Sequence, residues 1–68
     1  MGDVAALAGL LHEASIHHGD FEAVAPPHHW WDWYAAYMDA RQDGSSSDDA
    51  IGSANRYMAD VKHVVVPA

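Results

Sequence analysis

Pro26 and Pro27 stand side by side near the middle of the chain, and no helix runs through the interior of such a pair. The protein therefore cannot be one long helix, and the residues before Pro26 must be ended and packed on their own account. Gly44 makes a second break, at the head of the polar stretch "GSSSDD". Three segments result, and each can be read for its own periodicity.

In the first segment, Asp3 is a good N-cap for a helix beginning at Val4, because its carboxylate can accept from the free N–H groups of the opening turn. Val4, Leu7, Leu11, Ala14 and His18 then follow at alternating spacings of three and four, an apolar stripe with a polar end. Gly19 is the expected stop, since glycine readily takes the left-handed conformation just past a helix end. "GDFEAVAPP" reads as an irregular connection. A second helix is expected from about Pro27 to Asp43, with proline at its first position and Gly44 ending it. Ser46 or Ser47 can cap a third helix, whose first turn gains from Asp48 and Asp49 at the positive end of the dipole. Its stripe runs Ile51, Ala54, Met58, Val61 and Val65, with Lys62 and His63 in the last turn. Val64–Val66 nevertheless favour extended backbone, and Pro67 halts any continuation. The fold class is all-α: a small three-helix unit with an extended C-terminal tail, residues 1–68 forming a single helical domain.

A chain of 68 residues buries only about 60% of the surface its unfolded form exposes. Small scaffolds supplement so thin a core with disulfides, metal or assembly. The chain contains no cysteine, which removes disulfides and thiolate metal sites and leaves assembly as the favoured route. The net charge is −7, and Arg41, Arg56 and Lys62 are the three permanent cations. Phosphate backbones and anionic membranes are bound by clusters of Lys and Arg, so neither nucleic acid nor membrane is an expected partner. No stretch reaches the roughly 20 apolar residues of a membrane span, and "MGDVAALAGLLHEAS" lacks the basic start of a secretory signal. A soluble, cytoplasmic protein is the expectation.

All three tryptophans fall within "PPHHWWDWYAAYMDARQDG". On a wheel of 100° per residue, Trp33, Tyr37, Trp30, Arg41, Tyr34, Met38 and Trp31 cover one arc of about 160°, opposite Asp32, Asp39 and Asp43. Much of this face should be core, with large rings set against the small residues of the other helices. Two narrow helices are nevertheless a poor cover for so wide an arc, so a ring at its rim, Trp31 or Trp33, is expected to remain exposed and to mark an interface or ligand groove. Arg41 is the charged member of the face. Its stem can pack while its head reaches solvent or stacks on a tyrosine. It can also pair with Asp20 or Glu22, or form an anion site between aromatic walls.

The polar residues support fewer chemistries. Glu13 and His17 are spaced i,i+4, as are His28 and Asp32, and either pair can share one ion on a helix face. Zinc needs three or four ligands, so a site would require the connection to bring Glu13 or His17 near His28. Six histidines supply general bases near neutral pH. No glycine-rich phosphate loop, nucleophile elbow or Glu-x-x-His pattern accompanies them. Catalysis is the less favoured reading, and no cofactor is expected.

Over "LLHEASIHHGDFEAVAPPHHWWDWYAAYMDARQDG" the chain resembles a group of short actinobacterial helical proteins. Their pattern is a leucine-rich helix, an HG-aromatic-Glu turn, and W-x-W-Y-A-x-Y. The matching residues are His18-Gly19-Asp20-Phe21-Glu22 and Trp31-Asp32-Trp33-Tyr34-Ala35-Ala36-Tyr37. Such proteins are often labelled as resembling bleomycin-resistance proteins, which are similar to glyoxalases and β-rich. A helical chain does not form that fold, so drug sequestration is not implied. The resemblance implies a compact family with a fixed turn, in which Phe21 enters the core and Glu22 accepts from His18 or a tryptophan N–H.

Taken together, the residues favour a non-catalytic binding or accessory module. It acts through the face from Trp30 to Met38, either as a homodimer or as a small subunit of a larger protein complex. A small anionic or aromatic ligand is a further candidate for that face. The alternative is a histidine/carboxylate metal-binding protein or metal-dependent enzyme subunit, using Glu13, His17, His28 and Asp32.

Overall fold

The computed structural model describes residues 3–66. Three helices, α1 (Val4–Val24), α2 (Trp30–Gln42) and α3 (Ser47–Asp60), account for most of them, and no strand occurs among the described residues. The all-α expectation holds. Pro67 lies outside the described residues.

Helix α1 starts where its cap predicts, with the Asp3 carboxylate accepting from the Ala6 N–H at 3.2 Å. It does not stop at Gly19. It continues to Val24 and ends at Ala25, which is extended at φ −91° and ψ 151°. The residue before a proline is driven out of the helical region, so Pro26 is the true terminator. Gly19 has an ordinary helical backbone; a glycine inside a helix costs about 1 kcal/mol against alanine. The neighbouring burial of His18 and Phe21 offsets that cost, because it requires both side chains to stay on one helical face.

Helix α2 begins at Trp30, three residues later than proline-first geometry suggested. The His28 ring explains the delay: its Nδ1 is 2.8 Å from the Pro26 carbonyl, a local bond that holds residues 26–28 outside the helix. The other end is as expected. Gly44 has φ 98°, its N–H donates to the Arg41 carbonyl at 3.1 Å, and the Ser45 N–H donates to that of Ala40 at 3.0 Å. These two bonds form a Schellman cap.

The Ser46 hydroxyl caps α3, accepting from the Asp49 N–H at 3.2 Å. This helix ends at Asp60, earlier than its apolar stripe implied, so Lys62 and His63 lie beyond it. His63 takes the left-handed conformation at φ 58°. The Val64 N–H returns to the Met58 carbonyl at 2.8 Å, and Val64 packs on the core.

Helix α2 is central. It packs against both other helices, and α1 and α3 hardly meet. Trp33, Tyr37 and Met58 are the largest fully buried side chains. Ala14 from α1 and Ala50 and Ala54 from α3 share their cluster. Large rings on the middle helix are thus matched by methyl groups on its neighbours. With 21 residues against 13, α1 outruns α2 by about 12 Å of helix, and the molecule measures 39 × 18 × 18 Å.

Candidate functional site

The aromatic face divides in two. Trp33 and Tyr37 point inward and stack on each other, with centroids 5.3 Å apart and planes 12° from parallel. Trp30 and Trp31 point outward, each 50% exposed. Of the two rings expected at the rim, Trp31 is exposed, whereas Trp33 is fully buried and anchors the core. Trp31 stacks on His29 at 4.5 Å. Trp30 meets Tyr34 edge-on at 4.9 Å.

Each inward ring carries a polar atom that needs a partner once water is excluded. The Trp33 indole N–H donates to Asn55 Oδ1 on α3 at 3.0 Å, so the acceptor is not Glu22. The Tyr37 hydroxyl donates to Glu13 on α1. Arg41, one turn further along α2, donates from Nε to the same Glu13 oxygen at 2.8 Å and from Nη1 to the Ser45 carbonyl at 2.8 Å. Arg41 therefore pairs with Glu13 rather than with Asp20 or Glu22, and its charge is directed to internal partners. The Tyr37 hydrogen bond and the Arg41 cation hold the Glu13 carboxyl below its usual range. Burial, with the Glu13 charge beside it, pushes the Tyr37 phenol up to about 12. This trio fastens α1 to α2 by charge-assisted bonds.

The other metal candidates are engaged with different partners. His17 packs its ring against Tyr37 at 5.6 Å. Asp32 pairs with Lys62 at 3.6 Å and so ties α2 to the tail. His28 bonds to His18 and shares a surface hollow with Asp32. No group of three or more His, Asp or Glu side chains among the described residues is arranged to hold a metal ion.

No spacing in the sequence pointed to the contact between His18 and His28. The two are ten residues apart, on either side of a helix end, and their Nε2 atoms lie 2.9 Å apart. His18 is 4% exposed and is ringed by Phe21, Trp33 and Tyr34 at centroid distances of 5.1–6.3 Å. Burial, with His28 next to it, pushes its pKa down, and Glu22 opposes this. Glu22 reaches the other side of the ring, 3.8 Å from Nδ1.

Two of the open surfaces among the described residues are largely apolar. The first is the overhang of α1: residues 4–9 and Leu11 are exposed, Val4 to 80%, and none of the side chains from Val4 to Leu11 is charged. From Leu11 a shallow hollow of about 450 Å³ runs on along α1 past Ser15, His18 and Glu22, with Trp30 and Tyr34 of α2 on its other side. The second is a cleft of about 480 Å³ where α1 and α3 fail to meet, lined by Phe21, Val24, Trp33, Ile51 and Val64, with Arg56 also at its wall. No helix among the described residues is long and apolar enough to cross a membrane. No protein-family model, curated protein or solved structure matches the chain.

Proposed function

We propose that the chain is a non-catalytic helical binding module, soluble and cytoplasmic, that works by self-association. The observation that supports this reading is the α1 overhang. The stripe Val4, Leu7, Leu11, Ala14, His18 lies on one side of α1. Its second half is buried on α2, while its first half runs past the end of that helix without cover. A second copy, related by a two-fold axis, would lay its own overhang along this strip, each burying the other's leucines. Trp30 stands at the far end of the hollow that Leu11 opens and supplies the kind of rigid aromatic anchor that interfaces favour. Kinship with the short actinobacterial proteins that share W-x-W-Y-A-x-Y belongs to the same proposal. So does the choice of a second copy over a larger protein partner.

Sedimentation equilibrium over a range of chain concentrations tests the reading. The wild type should sediment as a concentration-dependent dimer. Leu7→Asp should weaken it by about 2 kcal/mol or more, roughly thirtyfold in dissociation constant, and leave the thermal melt of the monomer nearly unchanged. Trp30→Asp should act in the same direction. A wild type that stays monomeric at all concentrations defeats the homodimer, and a dimer indifferent to Leu7→Asp places the contact elsewhere.

A further inference from the structure

The histidine pair joins the end of α1 to the connection at residues 25–29, and the number of protons it can hold is limited by its neighbours. The pair offers a proton three partnered positions, two of them hydrogen bonds and one an ion-pair contact. The His28 Nδ1 faces the Pro26 carbonyl at 2.8 Å, which can only accept, so this nitrogen carries a proton. The two Nε2 atoms face each other at 2.9 Å, and one proton between them makes the bond. The His18 Nδ1 faces the Glu22 carboxylate at 3.8 Å, where a third proton is favoured. Two neutral imidazoles bring two protons, and the pair with one net positive charge brings three. Two imidazoliums bring four, and the fourth has no place, because both Nε2 atoms would then be donors pointing at one another.

We propose that His18 and His28 form an acid-triggered latch, which holds residues 25–29 against α1 while the pair carries at most one net positive charge and releases them when a further proton makes both rings cationic. The surroundings offer little relief for that second charge. On α1, Glu22 is the charged group within reach, and it is itself largely exposed. From α2 come the uncharged rings of Trp33 and Tyr34. Behind His28 the hollow is lined by His29, Asp32 and Lys62, and Asp32 is already paired with Lys62. Release withdraws the His28 ring from Phe21, on which it rests at 5.0 Å, and opens the cover over Phe21 and Trp33. The binding surface of the protein then differs above and below the trigger pH. The latch is independent of whether the α1 overhang binds a second copy.

Two measurements on the full chain test the latch. In an NMR titration of the wild type, the signals of the two rings should both report the same two coupled steps rather than one step each. The lower step should fall below the ordinary histidine value of about 6.5. Two independent titrations near that value would overturn the proposal. The second measurement uses a Trp30→Phe, Trp31→Phe variant, in which Trp33 is the remaining tryptophan. Its emission should move to longer wavelength through the lower step while far-ultraviolet dichroism keeps most of its helical signal. Adding His28→Gln, which can accept and donate without titrating, should abolish that shift. A shift that survives His28→Gln, or that appears only together with loss of helix, would refute the latch. Should His28→Gln fail to fold, the wild-type titration alone decides between a coupled pair and two independent imidazoles.

Discussion

At the scale of single residues, the protein satisfies its buried polar atoms by long-range partners rather than by neighbours. The Trp33 N–H finds its acceptor in Asn55, 22 residues away, and no buried side-chain nitrogen or oxygen among the described residues lacks a partner. Removing the acceptor should therefore be costly. Asn55→Leu is expected to lower stability by about 1–3 kcal/mol, because it leaves a buried donor unpaired, and a urea melt reads the loss directly. Tyr37 gives a pH-dependent prediction. Its phenol is held neutral up to about 12, against an ordinary value of 10.0. Between those values the folded protein keeps a proton that the unfolded chain has lost, so stability falls as pH rises through that window. Glu13 has the opposite sign: its lowered pKa contributes stability above the ordinary carboxylate range that disappears as pH falls through it. Tyr37→Phe should cost about 1 kcal/mol near neutral pH and flatten the alkaline loss. Melts of both proteins across the alkaline range check this, and an unchanged slope in Tyr37→Phe would assign the loss to another group.

At the scale of the helices, two glycines with the same apparent role turn out to differ. Gly44 sits at φ 98°, in the left-handed position of the Schellman cap, where a Cβ is strained. Gly44→Ala should cost about 1 kcal/mol or more. Gly19 lies inside α1, and a Cβ built there meets nothing within 4 Å. Gly19→Ala should accordingly stabilise the protein by roughly 0.5–1 kcal/mol. Paired thermal melts with opposite signs are the expected result, and a destabilising Gly19→Ala would mean that the helix is interrupted at that point after all. The local patterns at these two sites are equally suggestive of a stop. What separates them is the next strong signal in the chain: past Gly19 the buried residue Phe21 continues the helical face, whereas past Gly44 a run of serines begins and offers a new cap.

For the whole molecule, the arrangement of helices matters more than their number. With α2 in the middle and α1 scarcely touching α3, Trp33 becomes the residue on which everything converges, stacked on Tyr37, near Phe21 and bonded to Asn55. Trp33→Ala is expected to remove about 3–5 kcal/mol. For a small domain that is a large share of the total, so loss of the cooperative thermal transition is the expected readout. By contrast, Trp31→Ala, at a ring half open to solvent, should leave the melt within about 0.5 kcal/mol of wild type.

The elements themselves were legible in the order of residues: three helices, the cap Asp3, a serine cap at position 46 or 47, the glycine stop at Gly44, and an aromatic face on the middle helix. These are local matters, settled within a turn or two by capping chemistry and by which side of a helix is apolar. Packing chose which aromatic residues became core and which surface. It took Trp33 inside and left Trp30 and Trp31 out, because burial depends on what stands opposite each ring: Trp30 borders an open hollow beside α1, and Trp31 rests on His29 at the surface. Packing also set every polar partnership of consequence. Glu13 with Arg41, Trp33 with Asn55 and His18 with His28 are joined across 28, 22 and 10 residues. No spacing rule relates such positions, since the distance between them is set only when the helices pack.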